Sequence, residues 1–577
     1  MRLKVSRSKN SASLYVTKTV YIDNKEKTIT VEKLGTEAAL REKLNGADPY
    51  EWAREYIRKL NEEEEKNSRK VLVPFKQTEL INKNEQHSFN GGYLFLQDVY
   101  HQLGLHRICK EISANYKFTF NLDSILSRLV YSRIIFPASK LGTFQLSQQF
   151  LEQPDFDIQH IYRALEVIAK ETDFIQAQLY KNSLSAFKRN NRILYYDCTN
   201  FFFETGQEEG LKQYGPSKEH RPSPIVEMGL FMDGDGIPLA FCIHSGNTNE
   251  QTTMKPLEKT IMEDFKLSRF IVCTDAGLSS TDNRKFNDAG ERAFITTQSV
   301  KKLKKHLREW ALADDGWALY GDDKKNCYCL DELDKDEETA EKYKNATFYK
   351  ERWIKEYGLE QKLIVTFSLK YRNYQRQIRN SQIERAAKLV QERPSSIKKH
   401  HQNDYKRFIS RTGVTPDGEA ADQDVFSLKT ELIETEEMYD GFYAVCTNLE
   451  DDAPAIVKIN HKRWEIEESF RIMKSESKAR PVYLKRDDRI KAHFTTCFLA
   501  LTVYRYLEKM LEEKFTSTDI IRTLKGMNFY SVVGEGYIPT YTRTDLTDAL
   551  HGAFGFRTDY QIVTTKQMKK IFKDTKR

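Results

Sequence analysis

The sequence predicts an α/β protein in which helices cover a mixed β-sheet. Residues 192–298 contain three strand-like runs followed by helix, strand, helix and strand; the strand-like runs are RILYYDCTNFFFE, PIVEMGLFMDGDG, GIPLAFCIHSGN, RFIVCTDAG and AFITTQ. Residues 88–190 carry apolar side chains every three to four positions, as in GGYLFLQDVYHQLGL, which is typical of helices. A polar segment over residues 301–439 then separates this part from one more strand, YDGFYAVCTN, and from helical sequence between Ile456 and about Lys514.

Composition excludes several classes of protein. The 577 residues carry 91 Lys and Arg against 84 Asp and Glu, a net charge of +7, and 39% of them are hydrophobic, which excludes a wholly disordered chain. No apolar run approaches the roughly 18 residues of a membrane helix, and the N-terminus lacks the apolar stretch of a signal peptide. Eight cysteines are too few for a disulfide scaffold, so we expect a cytoplasmic protein with free thiols.

The N-terminal segment predicts a small β-hairpin and a helix. Two alternating runs, SLYVTKTVYI and KTITVEKLG, flank the polar residues Asp23, Asn24 and Lys25, which is typical of a hairpin. A helical pattern follows around Tyr50 to Leu60 and ends in an acidic block, Glu62–Glu65.

The positive charge is concentrated in two places. Residues 370–411 hold twelve Lys and Arg against three acids, and residues 566–577 hold six against one. Both stretches are candidates for tracking a nucleic-acid backbone. For residues 370–411 a charge-rich helix face is an equally good interpretation.

Two carboxylates lie in otherwise apolar strands. Asp197 follows Leu194-Tyr195-Tyr196, and Asp275 follows Ile271-Val272-Cys273-Thr274. Because an unpaired buried carboxylate is costly, such residues are usually paired, hydrogen-bonded or metal-bound. The alternative for each is that it caps a turn at the end of its strand.

A helix predicted over residues 456–478, IVKINHKRWEIEESFRIMKSESK, carries the third candidate feature. At helical spacing Asn460, Arg463, Glu467 and Lys474 share one polar stripe. An ordinary solvated face with i,i+4 pairs is the alternative. We expect the neighbouring Trp464 to pack against the sheet rather than to stack on a base.

These residues resemble the Tyr-x2-Arg-x3-Glu-x6-Lys box of bacterial DDE insertion-sequence transposases. Arg463, Glu467 and Lys474 match its spacing without a gap. YDCTNFFFE, SKEHRPSPIVEMGL, GIPLAFCIHSGN, DAGLSS and KARPVYLKRDDRIKAHFTTCFLAL are also similar to that family, and the resemblance covers about residues 190–510. One position differs, since Asn460 stands where the family has the Tyr that helps to hold a DNA-end phosphate.

The resemblance implies an RNase H-like core with a metal-dependent active site. Asp197 would lie on the first strand, Asp275 at the end of the fourth and Glu467 on a late helix. These three carboxylates would be the catalytic residues and would bind two Mg²⁺ or Mn²⁺ ions. No Gly-rich loop of the GxxxxGK type is present, so we expect no nucleotide cofactor.

The resemblance also implies contacts with DNA. Arg463, Lys474 and, less fully than the family Tyr, Asn460 would hold phosphates near the scissile bond. Lys218 and Arg221 are further candidates, with a solvated loop as the alternative. The partner would be double-stranded DNA, both transposon ends and target, bound by a homodimer, and the setting the bacterial cytoplasm and nucleoid, with no membrane.

Six regions follow from the pattern and the resemblance together. They are an N-terminal hairpin and helix region for DNA-end binding (1–75), a helical region (76–190), the first part of the core (191–300), an insertion domain (301–439), the second part of the core (440–515) and a C-terminal region with a basic tail (516–577). The predicted function is a DNA transposase that binds terminal inverted repeats, cleaves the ends and joins them to target DNA. A transposase-derived DNA-binding protein without cleavage, or a general RNase H-like nuclease, are the alternatives.

Overall fold

The computed structural model describes residues 1–8, 11–22, 25–67, 71–73, 77–323, 326–392, 404–414 and 420–577. It forms two compact units, one of Met1–Glu85 with Val532–Glu535 and one of Gln86–Ser531 with Gly536–Arg577. In these ranges no helix has the length and apolar character needed to cross a membrane.

The first unit is a three-stranded antiparallel sheet with two helices. Its elements are β1 (Arg2–Ser8), β2 (Ser11–Ile22), β3 (Lys25–Thr36), α1 (Glu37–Lys43) and α2 (Pro49–Asn67). The antiparallel pairing of β2 with β3 confirms the predicted hairpin, although Asp23 and Asn24 of its turn lie outside the described residues. Leu14, Leu40 and Ala53 form a small core between sheet and helices.

The helical pattern over residues 88–190 is confirmed. The elements are β4 (Ser88–Asn90), α3 (Tyr93–Gln102), α4 (Leu105–Ala114), α5 (Leu122–Ile135), α6 (Lys140–Ser147), α7 (Ile158–Lys170) and α8 (Thr172–Ala186). Side-chain caps define two of the helix starts, since Asn121 and Ser139 accept hydrogen bonds from the first turns of α5 and α6.

The core sheet contains all five strands predicted between residues 192 and 298. Its elements are β5 (Ile193–Phe202), β6 (Ile225–Asp233), β7 (Pro238–Ser245), α9 (Met254–Asp264), β8 (Ile271–Thr274), α10 (Thr281–Asn287) and β9 (Ala293–Gln298). Across the sheet their order is β7-β6-β5-β8-β9. β6 runs antiparallel to β5 and β7, whereas β8 runs parallel to β5 and β9. This mixed sheet with helical cover confirms the predicted α/β class and agrees with the RNase H-like core that the resemblance implies.

Part of the segment predicted as an insertion extends the core sheet. The elements are α11 (Lys305–Leu312), β10 (Ala318–Leu319), α12 (Glu337–Tyr343), β11 (Phe348–Glu356), β12 (Leu359–Phe367), α13 (Leu369–Glu392), β13 (Ile409–Val414), β14 (Ala420–Leu428), α14 (Thr430–Glu437) and β15 (Phe442–Thr447). β12 pairs with β15 and β15 with β9, so the sheet has nine strands, β10-β11-β12-β15-β9-β8-β5-β6-β7. β11, FYKERWIKE, was not predicted as a strand because its many charged residues resemble the rest of the polar segment.

The last segment is helical but not continuous. Its elements are α15 (Ala453–His461), α16 (Trp464–Arg471), a π-helical turn (Ile472–Glu476), α17 (Asp487–Met510), α18 (Ser517–Gly526), β16 (Asn528–Val532), β17 (Gly536–Pro539), α19 (Asp545–Phe554), β18 (Val563–Thr564) and α20 (Thr565–Asp574).

The prediction of one helix over residues 456–478 is therefore wrong. The Tyr195 hydroxyl, from β5, donates to the Ile459 carbonyl at 3.0 Å. In a continuous helix that carbonyl would accept the Arg463 N–H, which instead donates to the Asn460 carbonyl. A side chain that enters the hydrogen-bond ladder in this way ends or bends a helix.

Candidate active site

Asp197 and Asp275 lie side by side on neighbouring parallel strands. β5 and β8 pair with Tyr195 opposite Cys273. β8 ends at Thr274, so Asp275 directly follows it, and the same register continued by two residues would bring Asp197 opposite Asp275. The charge of Asp275 acts on Asp197, which shows that the two are close. Asp275 also accepts the Leu278 N–H at 2.9 Å, so the turn-capping role applies to it as well. The two carboxylates singled out from the sequence thus belong to one site.

The electrostatics of this pair favour a cation. Burial raises the pKa of Asp197 to about 6; the charge of Asp275 acts in the same direction, and Lys218 and Arg463 oppose it. Although burial lowers the pKa of Lys218, the carboxylates of Asp197 and Glu250 leave it above its usual value. The carboxylate pair is therefore close to Lys218, whose protonated form it helps to stabilise.

Glu467 is linked to the pair through Arg463. Its side chain is 64% exposed on α16 and forms an ion pair with Arg463 at 3.7 Å, one turn away. Within the described ranges no group of three His, Cys, Asp or Glu side chains is arranged to hold a metal ion. The structure thus brings Asp197 and Asp275 together and places Glu467 next to Arg463, whose charge also acts on Asp197.

Lys474 contacts the same face of β5 as Asp197. Its Nζ donates to the Thr199 Oγ1 at 2.6 Å. Residues two apart on a strand point to one face, so Asp197 and Thr199 are neighbours on that face. Burial lowers the pKa of Lys474, and Lys218 lowers it further. Sequence analysis missed Thr199, although its i+2 spacing from Asp197 was available.

Asn460 is not placed to contact DNA. It is 1% exposed; its Oδ1 accepts the Cys273 thiol at 3.2 Å, and its Nδ2 donates to the Tyr443 hydroxyl and, at 3.3 Å, to the Thr297 Oγ1. Thr297 also accepts from Arg463 at 3.2 Å. Asn460 is therefore a structural residue that fixes the threonine on which Arg463 rests. Thr297 and Tyr443 were missed because they lie on other strands.

The two loop residues between β5 and β6 differ in their surroundings. Lys218 donates to the Cys198 carbonyl at 2.5 Å and pairs with Glu250 at 3.0 Å, beside Asp197. Arg221 stacks on the Phe202 ring, 4.3 Å from its centre, with about half of its side chain exposed. Lys218 is thus part of the carboxylate site, whereas Arg221 lies further along the strand.

Glu227 is a buried acid near Lys218 that sequence analysis missed. It lies on β6 and is 3% exposed. Burial raises its pKa to about 8, Glu250 acts in the same direction, and Lys218 and Lys474 oppose it. Its position inside the apolar run PIVEMGLF is the same signal that singled out Asp197, and it could have been found in the same way.

Trp464 is exposed, against the expectation that it packs on the sheet. Trp464 is the first residue of α16, directly after the helix break, and it is 60% exposed. The expectation rested on the usual core packing of tryptophan, whereas at helical spacing Trp464 lies on the opposite side of α16 from the buried residues Ile466 and Phe470. The residue stands next to Arg463 and is accessible to a ligand.

The basic stretch 370–411 is partly structural. Arg379 binds Asp440 through two hydrogen bonds, and both side chains are 5% exposed. Arg407 likewise binds Glu436, and Arg372 binds Asp334. For these three arginines the structural interpretation holds.

Other basic residues are exposed or lie outside the described ranges. Arg393, Lys398 and Lys399, with the His400-His401 pair, fall outside them. In the C-terminal tail, α20 buries Met568 and Ile571 and exposes four lysines: Lys566, Lys569, Lys570 and Lys573.

A family model matches the part of the chain that contains this site. The family model described as Transposase DDE domain matches residues 191–503, more than half of the chain, and spans all three candidate carboxylates. No curated protein matches the chain. A remote similarity connects it with the cryo-EM structure of a piggyBac transposase synaptic complex with hairpin DNA, at 10% identity and a TM-score of 0.34 over 75% of this chain and 78% of that one. The chain belongs to the transposase DDE domain family.

Proposed function

We propose that this transposase binds the terminal inverted repeats of an insertion sequence, cleaves the ends and joins them to target DNA by two-metal phosphoryl transfer. The observation that supports it best is the proximity of Asp197, on β5, to Asp275, directly after β8, with Lys218, Arg463 and Lys474 nearby. Such a site offers acids for metal and cations for phosphate. Because both ends of an element must be cut in one complex, we also propose a homodimer.

The donor set suits Mg²⁺ or Mn²⁺. Asp197 and Asp275, joined by Glu467, would hold the ions, since hard divalent cations prefer oxygen ligands and often use one or two carboxylates plus phosphate. Burial and repulsion from Asp275 raise the pKa of Asp197. A bound cation would offset both effects. When bound, two such ions supply Lewis-acid stabilisation of the attacking and leaving oxygens.

The cationic side chains would position the DNA. Arg463 offers a planar fork to phosphate oxygens, and its bonds to Thr297 and Glu467 fix the fork's direction. Lys218 and Lys474 add point charges beside Asp197. Water and a DNA 3′-hydroxyl attack phosphorus in the same in-line geometry, so one site can serve both end cleavage and joining.

Glu467→Gln is expected to reduce cleavage of end DNA by about 10²- to 10³-fold, since loss of a metal ligand removes several kcal/mol of transition-state stabilisation. The full chain would be incubated with end DNA or scrambled DNA, with Mg²⁺ or with EDTA. Binding to end DNA should stay within about twofold, because the substitution removes no cation. Glu468→Gln, on the same helix and paired with Arg471, is the matched control and should cleave normally.

The other possible outcomes of this assay indicate different functions. Unchanged cleavage by Glu467→Gln would remove Glu467 from the active site. Equal cleavage of scrambled DNA would indicate a general nuclease. End binding without cleavage by the unsubstituted chain would indicate a DNA-binding protein derived from a transposase.

Trp464→Ala is expected to weaken binding to end DNA by about tenfold. Stacking of one base on an exposed aromatic ring contributes ~1–3 kcal/mol, and Trp464 stands beside the proposed phosphate contact Arg463. Fluorescence anisotropy with labelled end DNA measures the change. Trp353→Ala removes another exposed tryptophan, on β11, and should leave the affinity unchanged. Equal affinities of the two variants would contradict a stacking role.

A further inference from the structure

A cavity of about 280 Å³ lies between α5, α6 and the segment that precedes α17. Four cationic residues line it: Arg133, Lys140, Lys478 and Arg480. The remaining lining is apolar, aromatic or uncharged, apart from His493, and contains no carboxylate among the described residues. This is an unusual concentration of positive charge around a partly enclosed space.

Lys140 is buried there without a partner. The residue is 6% exposed, and its Nζ has no hydrogen-bond partner in the described part of the chain. Burial, together with the positive charge of Arg133, lowers the pKa of Lys140 to about 7. A buried charge is normally paired, so the surroundings of this ammonium group are incomplete without an anion.

Arg133 adds a second charge, for which the described residues provide no acidic partner. It is 5% exposed, and its guanidinium donates to the carbonyls of Ser477 at 3.3 Å, Lys478 at 3.4 Å and Ala138 at 3.5 Å. These carbonyls fix the direction of the side chain but carry no net charge. His493 stays neutral, because burial, with Arg133 and Lys140, holds its pKa well below the usual value.

The shape and position of the cavity indicate the kind of anion. Two buried cations, with Lys478 and Arg480 beside them, match a multiply charged oxyanion such as phosphate. The N-terminus of α6, capped by Ser139, adds positive potential at the same place. Apolar and aromatic walls, including Tyr162 and Tyr483, leave room for more than the phosphate alone.

The cavity is also connected to the candidate active site. Arg480 forms an ion pair with Glu219, whose carboxylate lies 3.9 Å from Lys474. Val482 pairs with Phe203 immediately beyond β5, the strand that carries Asp197. A DNA strand held at Lys474 would therefore pass close to the cavity mouth.

We propose that this cavity binds a phosphate group, carried either by a DNA strand or by a free nucleotide. The DNA source rests on the proposed function, whereas phosphate binding itself does not. The site is separate from the three carboxylates, and its test measures binding in EDTA. Loss of cleavage and loss of phosphate binding can therefore be observed independently.

The test is isothermal titration calorimetry of the full chain with inorganic phosphate, thymidine 5′-monophosphate, thymidine and a short oligothymidylate. Phosphate-bearing ligands are expected to bind and thymidine is not. Lys140→Met should weaken their binding at least tenfold, while Lys170→Met, an exposed lysine on α7, should leave it unchanged. Lys140-dependent binding of the mononucleotide or of phosphate identifies a free ligand, and Lys140-dependent binding of the oligonucleotide alone identifies DNA.

Two results would overturn the proposal: no phosphate-bearing ligand binds, or Lys140→Met binds all of them as tightly as the unsubstituted chain. Thermal unfolding shows whether Lys140→Met remains folded, which we expect because the change removes a buried, unpaired charge. If it does not fold, Lys478→Met decides, because Lys478 is exposed at the cavity. A several-fold loss of affinity in that variant supports the proposal, and unchanged affinity overturns it.

Discussion

Asp197→Asn is expected to make the metal-free protein more stable and to reduce DNA cleavage by at least about 10²-fold. In the folded chain burial raises the pKa of Asp197 to about 6, with Asp275 adding to the effect, against ~3.9 for an unfolded Asp. Between these values the folded state binds more protons than the unfolded state. Stability therefore falls as pH rises from about 4 to 6 and stays lower above pH 6.

The size of this effect follows from the shift. Two pKa units correspond to roughly 3 kcal/mol at most, and solvent relaxation makes this an upper bound. Thermal unfolding in EDTA at pH 5 and pH 8 measures it. The unsubstituted chain should lose more stability towards pH 8 than Asp197→Asn does. Glu263→Gln, which removes an exposed carboxylate on α9, should follow the unsubstituted chain.

The combination of a gain in stability with a loss of activity separates two roles for Asp197. A structural carboxylate that caps a turn would destabilise the fold when it is replaced, whereas a carboxylate held against repulsion for a ligand stabilises the fold when it is replaced. A lower unfolding midpoint for Asp197→Asn at pH 8 would therefore contradict the assignment. Added Mg²⁺ should raise the midpoint of the unsubstituted chain more than that of the variant.

Local sequence pattern was enough to predict the core strands and to single out Asp197 and Asp275, two of the three candidate catalytic carboxylates. The alternation and burial of β5, β6 and β8 are properties of short segments, so Asp197 and Asp275 could be recognised as unusual from their immediate neighbours. The match in register that sets them side by side needs the pairing of strands whose sequences are far apart. Their proximity could be expected from the resemblance but not from the spacing.

The helix break before Arg463 could not be predicted, because its cause lies 264 residues away. The Tyr195 hydroxyl binds the Ile459 carbonyl, and neither residue is unusual in its own segment. Asn460 and Arg463 remain neighbours, since both donate to Thr297, but Asn460 is buried and Trp464 is exposed. Tertiary contacts thus decided the burial of these residues.

Arg379→Met is expected to destabilise the protein by about 3–5 kcal/mol, because it leaves the carboxylate of Asp440 buried without its partner. Arg379 donates to both oxygens of Asp440, at 2.7 and 2.6 Å, and joins α13 to the turn that precedes β15. Thermal or urea unfolding measures the loss. The double variant Arg379→Met/Asp440→Leu should recover most of it, because the charges that then lose a partner, Glu437 and Arg376, are about half exposed.

The same pair of variants tests how the basic stretch is used. If Arg379 serves only the fold, the double variant should bind end DNA as tightly as the unsubstituted chain. Lys388 is an exposed residue of the same helix, and Lys388→Met should change the stability by no more than about 0.5 kcal/mol. A loss of DNA affinity in this variant would show that the outer face of α13 binds the DNA backbone. If the double variant folds but binds DNA weakly, Arg379 would instead be assigned to the DNA interface. The basic residues in 370–411 thus include buried ones that serve the fold and exposed ones that are available to DNA. Composition alone does not distinguish the two groups.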